Sequence, residues 1–353
     1  MATTTSIKEV ARHAGVSLGT VSNVLNRPDT VSAPTRQRVL DAISALGYVR
    51  NDSARQLRAG RSRQIAIVVL DVANPFFTDV VRGAEAAAEG SGVMVVVCNS
   101  AENAGRERRH LELLEEQRVR GVLITPVDDT PGSRLEQLIQ RGTPVVLVDR
   151  GSGWPNRCSV AVDDVLGGRL AGAHLAEQGH ARIAFVGGPF SIQQVSDRHK
   201  GFAAALRATA NGGGAPELTV VRTPNLTVAS GRVAAGQIAD LPKVDRPTAV
   251  FCANDLLALG VLQEMTLRGL RVPQDVAIVG YDDIEFAAAA AVPLSSVRQP
   301  REQLGRTATQ LLLEEIEEDG RHEHRHVVFQ PELVVRDSSS RRSSRRGRAT
   351  GSR

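Results

Sequence analysis

The stretch TSIKEVARHAGVSLGTVSNVLN, residues 5–26, decides the fold of the first part of the chain. Ser6 and Ser17 are each placed to cap a helix, because a serine before an apolar helical pattern accepts hydrogen bonds from free backbone N–H groups. Ala14 and Gly15 between them allow a tight turn. The stretch therefore predicts a helix-turn-helix, an arrangement that places its second helix in the DNA major groove.

Apolar residues at helical spacing mark the inward faces of these two helices and of a third. The third helix is predicted from Ser32 to Leu46, with Pro34 in its first turn and Gly47 as its stop. The side chains expected to point inward are Ile7, Val10, Ala11, Val21, Val24, Leu25, Val39, Leu40, Ile43 and Leu46. Three such helices close a small core, and we expect a DNA-binding headpiece over residues 1–50.

Beyond residue 64, short Val/Ile/Leu-rich runs alternate with amphipathic segments of helical length, which is the pattern of a buried parallel sheet flanked by helices. The fold class is therefore α/β. The predicted strands fall into two sets of four: Ile65–Leu70, Val93–Cys98, Gly121–Thr125 and Val145–Val148, then Ile183–Val186, Leu218–Val221, Ala249–Cys252 and Val276–Val279. Two similar sets predict two lobes.

The order of motifs along the chain resembles that of the lactose-repressor (LacI) family. The motifs are VARHAGVSLGTVSNVLN, the VSAPTRQRVLDAISALGYVRNDSARQLRAG segment, IAIVVLDVANPFF, GVLITP, PVVLVDR, VAVDDVLGG, HLAEQGHARIAFVGGP, DRHKGF, FCANDLLALG and VGYDD. The resemblance extends to about residue 336. It implies a headpiece, a hinge helix over residues 51–63, and a two-lobed periplasmic-binding-protein-like domain of type I over residues 64–336.

The resemblance also implies where the lobes divide. Lobe 1 is expected over about 64–162 and 297–325, and lobe 2 over about 163–295 and 326–336. The chain would cross between the lobes near Val162, near Ser296 to Arg298, and again near Arg325 to Val328. A ligand would lie between the lobes at the carboxyl ends of the strands.

The second helix of the headpiece carries short side chains on its outward side. An asparagine can pair with adenine and a leucine can touch a thymine methyl group, whereas a glycine offers no side chain. By resemblance Leu18, Gly19 and Asn23 read bases, with Thr20, Ser22 and Asn26 assisting; the alternative is that Thr20 or Ser22 bonds phosphates. Ser6 and Ser17 complete the predicted set of DNA-contacting residues in the headpiece. The expected partner is a double-stranded operator with an inverted repeat, bound by a homodimer.

The hinge, NDSARQLRAG at residues 51–60, has helical composition but is too short to be a stable helix alone in water. We expect it to order on binding DNA. In the family the paired hinge helices enter the minor groove and a leucine wedges between central base pairs, a position that Leu57 matches, with Ala54 one turn before it. The alternative is that Leu57 packs against the headpiece.

Eight residues of the body are predicted to meet a small effector. The resemblance places them at the cleft: Asn74, Phe76, Phe77, Asp149, Arg198, Leu226, Asn254 and Asp282. A guanidinium donates and a carboxylate accepts, a combination that suits a sugar. Two alternatives remain open: the two phenylalanines belong to the core, and the charged residues form an interlobe salt bridge.

Leu226 departs from the pattern of sugar-responsive relatives, many of which place a Trp or Phe there against the sugar ring. The effector expected first is a sugar or sugar derivative. A sugar phosphate, a nucleobase or another small polar metabolite is the alternative, as is an activator of the same fold.

Charge divides the chain unevenly. Residues 1–63 hold 10 Lys and Arg against 4 Asp and Glu, and residues 336–353 hold 7 against 1, whereas the remainder holds 26 against 34. A basic head on an acidic body suits a protein whose head meets phosphates. The last residues, 337–353, lack apolar side chains and are predicted to be a disordered basic tail, either a solubilising end or a source of nonspecific phosphate contacts.

Three other patterns could indicate catalysis or metal binding, and each is better explained in another way. Gly15 to Gly19 matches the G-x-S-x-G elbow, but it joins two helices and not a strand and a helix. Asp149 and Asp282 are the one loosely plausible carboxylate pair for a sugar-processing enzyme. The run RHEHRH at residues 321–326 places alternate histidines on one face of a strand; we expect a solvated approach to the last strand there, with metal binding as the alternative.

Three scattered cysteines, and apolar runs well short of the roughly 18 residues that span a bilayer, predict a cytoplasmic protein with reduced thiols and no membrane segment. A transport-type binding protein would share the lobes but would carry a leader and no DNA-binding head. We therefore expect a homodimeric transcriptional repressor, not an enzyme, with no metal and no cofactor. Its operator affinity would be set by a small molecule acting as inducer or corepressor.

Overall fold

The computed structural model describes residues 5–49, 62–127, 134–151, 156–209, 214–318 and 321–340. The chain forms two compact units, Met1–Arg61 and Ser62–Arg353, here called the headpiece and the body. The predicted hinge contacts Ala54 and Leu57 lie outside the described residues, so their roles stay predictions. Within the described ranges, no helix is both long and apolar enough to cross a membrane.

Three α-helices form the headpiece: α1 (Ile7–Ala14), α2 (Leu18–Asn26) and α3 (Ala33–Ala45). The predicted caps are confirmed. Ser6 and Glu9 form a reciprocal capping box on α1, and the Ser17 side chain accepts from the Thr20 N–H at the start of α2. Gly15 ends α1 in the left-handed conformation, at a φ of 63°, which is what lets the two helices follow so closely.

The headpiece core is small and built from short side chains. Val10, Val21 and Val39 are fully buried, one from each helix, and Ala42 packs with them. The prediction that Leu40 points inward is wrong, because 44% of its surface is exposed. Ala42 takes the place that the leucine was expected to fill, since the buried face of α3 passes through positions 39, 42, 43 and 46.

The body contains two six-stranded sheets. The first sheet has the order β11-β5-β4-β3-β1-β2 and is parallel throughout. Its strands are β1 (Gln64–Val69), β2 (Met94–Asn99), β3 (Val122–Ile124), β4 (Val145–Val148), β5 (Ser159–Val162) and β11 (His326–Phe329). This sheet defines lobe 1.

The second sheet has the order β12-β10-β9-β8-β6-β7 and defines lobe 2. Its strands are β6 (Arg182–Gly187), β7 (Glu217–Arg222), β8 (Ala249–Cys252), β9 (Ala277–Asp282), β10 (Ser295–Arg298) and β12 (Glu332–Val334). All neighbours are parallel except β12, which runs antiparallel to β10. The predicted α/β class and two-lobed arrangement are confirmed.

Helices cover both sheets, and three pairs of them meet through facing glycines. The helices are α4 (Pro75–Glu89), α5 (Ala104–Glu116), α6 (Arg134–Gln140), α7 (Asp164–Glu177), α8 (Gln193–Ala208), α9 (Val228–Ala239), α10 (Asp255–Leu267), α11 (Glu285–Ala289) and α12 (Arg301–Glu318). The glycine pairs are Gly83 and Gly305 in α4 and α12, Gly168 and Gly201 in α7 and α8, and Gly231 and Gly260 in α9 and α10. A Cβ atom at any of the six would lie 1.9 to 2.3 Å from a backbone oxygen of the partner helix, so no other residue fits without separating the pair.

The chain crosses between the lobes three times, and the structure corrects two predicted boundaries. The first crossing follows Val162, as predicted. The strand β10 belongs to lobe 2 over its whole length, so the second crossing follows Arg298 and does not begin at residue 297. The third crossing lies between Phe329 and Glu332, not near residues 325–328, because β11 pairs with β5 in lobe 1.

The end of the body also differs from the prediction. Ser338 and Ser339, assigned from sequence to a disordered tail, are fully buried. The Ser338 hydroxyl donates to the Ile278 carbonyl over 2.6 Å and accepts from the Ser295 N–H over 2.8 Å. Hydrogen bonds from these serines hold the segment on lobe 2. The sequence prediction missed it because it considered only apolar residues. The body therefore continues to Ser340 at least.

Candidate functional site

The helix α2 presents one face to solvent. Leu18, Gly19 and Asn23 are exposed, whereas Val21 and Val24 are buried against α1 and α3. Leu18, at the start of the helix, has 44% of its surface exposed and is not part of the headpiece core. The three residues that the resemblance assigned to base reading thus share one accessible surface.

The other polar residues of α2 are engaged within the helix. The Thr20 and Ser17 hydroxyl groups lie 2.9 Å apart, and the Asn26 side-chain amide donates to the Ser22 carbonyl over 2.8 Å. These side chains shape and cap the helix. Ser6, likewise, is used in the capping box of α1.

A second set of polar residues gathers where strands of both lobes end. Asn74 follows β1 and caps α4, accepting from the Phe76 N–H, while its amide Nδ2 donates to the Asp282 carboxylate over 3.3 Å. Asp282 ends β9 in lobe 2. This hydrogen bond therefore joins the two lobes at their carboxyl edges.

Asp149 directly follows β4 and makes a second contact between the lobes. The Gln194 amide donates to both the Asp149 carbonyl, over 2.5 Å, and its carboxylate, over 3.0 Å. The other carboxylate oxygen, Oδ1, is buried and has no hydrogen-bond partner among the described residues. Burial, reinforced by the nearby Asp164, raises the pKa of Asp149 to about 8. At neutral pH this carboxyl group is largely protonated and can donate as well as accept.

Arg198 lies at the centre of the buried charges. Its Nε donates to Asp164 over 2.7 Å and its Nη1 to the Ala253 carbonyl over 2.8 Å, and its guanidinium stacks on the Tyr281 ring at 3.7 Å. Burial by itself would lower the pKa of Arg198, but Asp164 and the neighbouring groups raise it. The guanidinium therefore stays charged inside lobe 2, and its nearest salt bridge lies within that lobe and does not bridge the two lobes.

Asp282 sits between this arginine and the opposite lobe. Gln299 donates to its Oδ1 over 2.7 Å, and the Arg198 Nη1 lies 3.7 Å from the same oxygen. Burial raises the pKa of Asp282 to about 6, although Arg198 and the hydrogen bonds from Asn74 and Gln299 oppose that shift. Its backbone has a φ of 106°, an unusual conformation for a non-glycine residue. Asp282 is thus the residue through which both lobes meet the buried arginine.

Asn254 and Leu226 are linked to each other. Asn254 caps α10 by accepting from the Leu257 N–H over 2.9 Å, and its Nδ2 donates to the Leu226 carbonyl over 3.1 Å. The Leu226 side chain is half-buried against the core. Both polar ends of Asn254 therefore hold the backbone around the cleft, and the aliphatic Leu226 side chain forms an apolar surface without a ring.

Phe76 and Phe77 belong to the main core. Their rings meet edge to face at 4.9 Å, and both are buried among the apolar residues of the body. The structure thus bears out the alternative that they are core residues. Contact with an effector stays a prediction for both.

Sequence reasoning missed four side chains that the structure places in this cluster: Gln194, Gln299, Asp164 and Tyr281. Gln194 had a detectable signal, because it stands four residues before Arg198 and shares its face of α8. Gln299 and Asp164 each lie just after a crossing between the lobes. Thr125, directly after β3, also presents a buried hydroxyl that has no partner among the described residues.

Comparison with known proteins agrees with this architecture. The model of the family "Bacterial regulatory proteins, lacI family" matches residues 6–51, and that of the "Periplasmic binding protein-like domain" matches residues 173–339. The HTH-type transcriptional repressor PurR of Aliivibrio fischeri (strain MJ11) is 36% identical over 335 residues, which are 94% of this chain and 98% of that protein. The chain belongs to the lacI family.

Solved structures of lacI-family proteins superpose on it over nearly the whole chain. The lac repressor dimer bound to operator and the anti-inducer ONPF is 28% identical with a TM-score of 0.81, covering 96% of this chain and 99% of that one. The complex of the transcriptional regulator CelR with cellobiose is 33% identical with a TM-score of 0.69, covering 95% and 100%. This lacI-family chain is a DNA-binding transcription regulator and not an enzyme.

Proposed function

We propose that this protein is a transcriptional repressor that binds a near-palindromic operator as a homodimer, in the cytoplasm, and that a small molecule held between its lobes controls the binding. The proposal depends on one observation: the same chain contains a helix α2 with an exposed face and a body with a buried polar cluster to which both lobes contribute. Support for repression comes from the relatives, which are named transcriptional repressors and align over almost their full length. The operator-bound lac repressor dimer supports the dimeric form.

The effector we propose is a purine nucleobase. The relatives' name, PurR, suggests a purine response. A protonated Asp149 side chain offers a donor and an acceptor side by side, which matches the alternating hydrogen-bonding groups on the edge of a nucleobase. Its Oδ1, the Thr125 hydroxyl and Gln299 Oε1 are buried atoms without a hydrogen-bond partner among the described residues, and they are available to meet such an edge.

A sugar is the second candidate. The CelR complex holds cellobiose, and a lacI-family regulator from Enterococcus faecium at 27% identity holds ribose. Against this candidate, Leu226 supplies no aromatic ring for a sugar face. In its favour, Arg198 and Asp282 supply the charged donor and acceptor that bind hydroxyl groups.

The proposed mechanism is thermodynamic linkage. Contacts that join the lobes at the cleft include the Asn74 amide with Asp282, the Gln194 amide with Asp149, and the Arg301 guanidinium with the Asp282 carbonyl. An effector that binds these groups more tightly in one arrangement of the lobes favours that arrangement, and with it one spacing of the segments that lead to the headpieces. A corepressor and an inducer act through the same coupling with opposite sign.

The test is binding of the full chain to DNA tiles from around its own gene, measured by fluorescence anisotropy at fixed salt. Each tile is titrated without ligand, with hypoxanthine, guanine and adenine, and with ribose and cellobiose. We expect one tile whose affinity changes at least fivefold with a purine, since couplings of about 1–3 kcal/mol are typical. A change with a sugar alone would overturn the purine assignment. Salt-sensitive binding to every tile alike, with and without each ligand, would overturn the regulator function proposed.

A variant pair locates the ligand. Asp282→Asn keeps the shape of the side chain but removes the charge that faces Arg198, and it should abolish the ligand response while leaving ligand-free operator binding within about twofold. Asp240→Asn, at an exposed carboxylate of lobe 2, is the matched control and should respond as the unmodified protein does. An unchanged response in Asp282→Asn would remove Asp282 from the effector site.

A further inference from the structure

Four potential metal ligands from separate parts of lobe 1 meet at one point outside the cleft. They are Cys158, just before β5; Glu315, on α12; and His322 and His324, in the segment that precedes β11. One ligand atom from each side chain lies within 4.8 Å of all the others. The sequence prediction of a solvated segment is wrong for His322, because only 4% of its side chain is exposed.

The distances fit a tetrahedral ion. With Zn–S near 2.3 Å and Zn–N near 2.0–2.1 Å, a sulfur and a nitrogen bound to one tetrahedral Zn²⁺ lie about 3.6 Å apart. The Cys158 sulfur lies 3.1 Å from His322 Nε2 and 3.9 Å from His324 Nδ1, on either side of that value. Shifts of a few tenths of an ångström in the side chains bring both to it.

His322 is already oriented as a metal ligand. Its Nδ1 lies 2.9 Å from a carboxylate oxygen of Glu318, which fixes that nitrogen as the donor and leaves Nε2, the atom that faces Cys158, with its lone pair. A carboxylate behind a histidine is the usual outer partner of a metal-bound imidazole. The Arg325 N–H lies 3.3 Å from the cysteine sulfur and would stabilise a thiolate there.

The cluster also contains a polar atom that the described residues leave unsatisfied. Glu315 Oε2 is buried and has no hydrogen-bond partner among the described residues.

We propose that Cys158, Glu315, His322 and His324 bind one Zn²⁺ ion. A thiolate, a carboxylate and two neutral imidazoles offset the ion's two positive charges, so the neighbouring arginines do not oppose a neutral site. One soft sulfur with two imidazoles favours Zn²⁺ over Mg²⁺ or Ca²⁺, which take oxygen ligands. A surface depression of about 620 Å³ provides access for the ion; it is lined by Glu314, Glu318, Arg321, His322, Glu323 and Arg325.

The ion would fasten the last strand of lobe 1. His322 and His324 lead directly into β11, whose neighbour β5 begins next to Cys158. The segment after β11 is the third crossing between the lobes. A bound ion would therefore stabilise the start of the segment that forms the third crossing between the lobes. Its role would be structural and not catalytic.

The experiment uses untagged full-length protein freed of metal with a chelator and titrated with Co²⁺, then with Zn²⁺. We expect one Co²⁺ per chain with the near-ultraviolet charge-transfer band of a thiolate–Co²⁺ bond, displaced by one equivalent of Zn²⁺, which should also raise the thermal midpoint of the body. Cys158→Ser should lose the band. His324→Gln, at an exposed side chain, should weaken Co²⁺ binding at least tenfold.

Cys98→Ser is the matched control, because Cys98 is a free thiol on β2 outside the cluster, and it should bind as the unmodified protein does. Absence of the thiolate band in the unmodified protein would overturn the proposal. So would a band that persists in Cys158→Ser, or equal affinities for Co²⁺ in His324→Gln and Cys98→Ser.

Discussion

The buried carboxyl group of Asp149 connects the stability of the body to pH. Burial raises its pKa to about 8, against about 3.9 for an aspartate in water. Between those values the folded protein keeps a proton that the unfolded chain has released, so the free energy of unfolding falls as pH rises from about 4 through about 8. Asp282, with a pKa raised to about 6 by burial, adds to the lower part of that fall.

Asp149→Asn should therefore flatten the pH dependence. Asparagine keeps a group that accepts from Gln194 and tolerates the backbone φ of 55° at this position, but it has no charge to bury. We expect the variant to be more stable than the unmodified protein at pH 9 by about 1–3 kcal/mol and nearly equal to it at pH 5. Urea unfolding of the body at the two pH values measures this, and Asp240→Asn serves as control. Parallel pH profiles for Asp149→Asn and the unmodified protein would contradict it.

For single residues, the sequence predicted the positions of the polar residues at the cleft better than it predicted their hydrogen-bond partners. Asp149, Arg198 and Asp282 were found because each follows a recognisable motif, and the structure brings them into one buried cluster. Arg198's partner Asp164 is 34 positions away along the chain. Pairing across such a distance depends on how α7 and α8 dock, and no local pattern encodes it.

At the scale of elements, the Val/Ile/Leu-rich strands were predictable and four short, partly polar strands were not. β4 and β8 match their predicted limits, because a run of buried β-branched residues announces a strand covered on both faces. The strands β5, β10, β11 and β12 were absent from the predicted set. They are short and partly polar, and they exist because each pairs with a strand from a distant part of the chain.

The segment after β12 gives a test of how much the last ordered residues contribute. A chain ending at Arg336 loses the hydrogen bonds of Ser338 to Ile278 and Ser295 and those of Ser339 to Ser295 and His174. At about 0.5–1.5 kcal/mol each, they amount to about 2–6 kcal/mol, so the thermal midpoint of the body should fall by several degrees or more. A chain ending at Ser340 is the matched control and should unfold like the full chain. Equal midpoints for both truncations would contradict the assignment of this segment to the body.

At the scale of the whole molecule, positive charge is concentrated at the two ends of the sequence. Residues 341–353 hold 6 arginines and no acidic residue, and the first 63 residues hold 10 basic residues against 4 acidic ones. We expect the headpiece to supply the phosphate contacts. The slope of log K against log salt for operator binding should then be the same for the full chain and for the chain ending at Ser340.

The alternative predicts a large difference. If all six arginines of the tail met phosphates, their removal would reduce the magnitude of that slope by about 5, since each contact contributes about 0.9. Operator titrations at four salt concentrations, with both proteins, separate the two outcomes. A reduction near that size would assign the tail a role in DNA binding.

The facing glycines of the helix pairs have a consequence for how a signal leaves the cleft. At the facing glycines of α4 and α12, α7 and α8, and α9 and α10, backbone lies against backbone, so no side chain at those contact points can rotate or compress. These close contacts make each lobe rigid. Ligand binding at the edge of a lobe should then move the whole lobe and not repack its interior locally. We therefore expect each lobe to move as one piece, with the bending concentrated in the three crossings between the lobes.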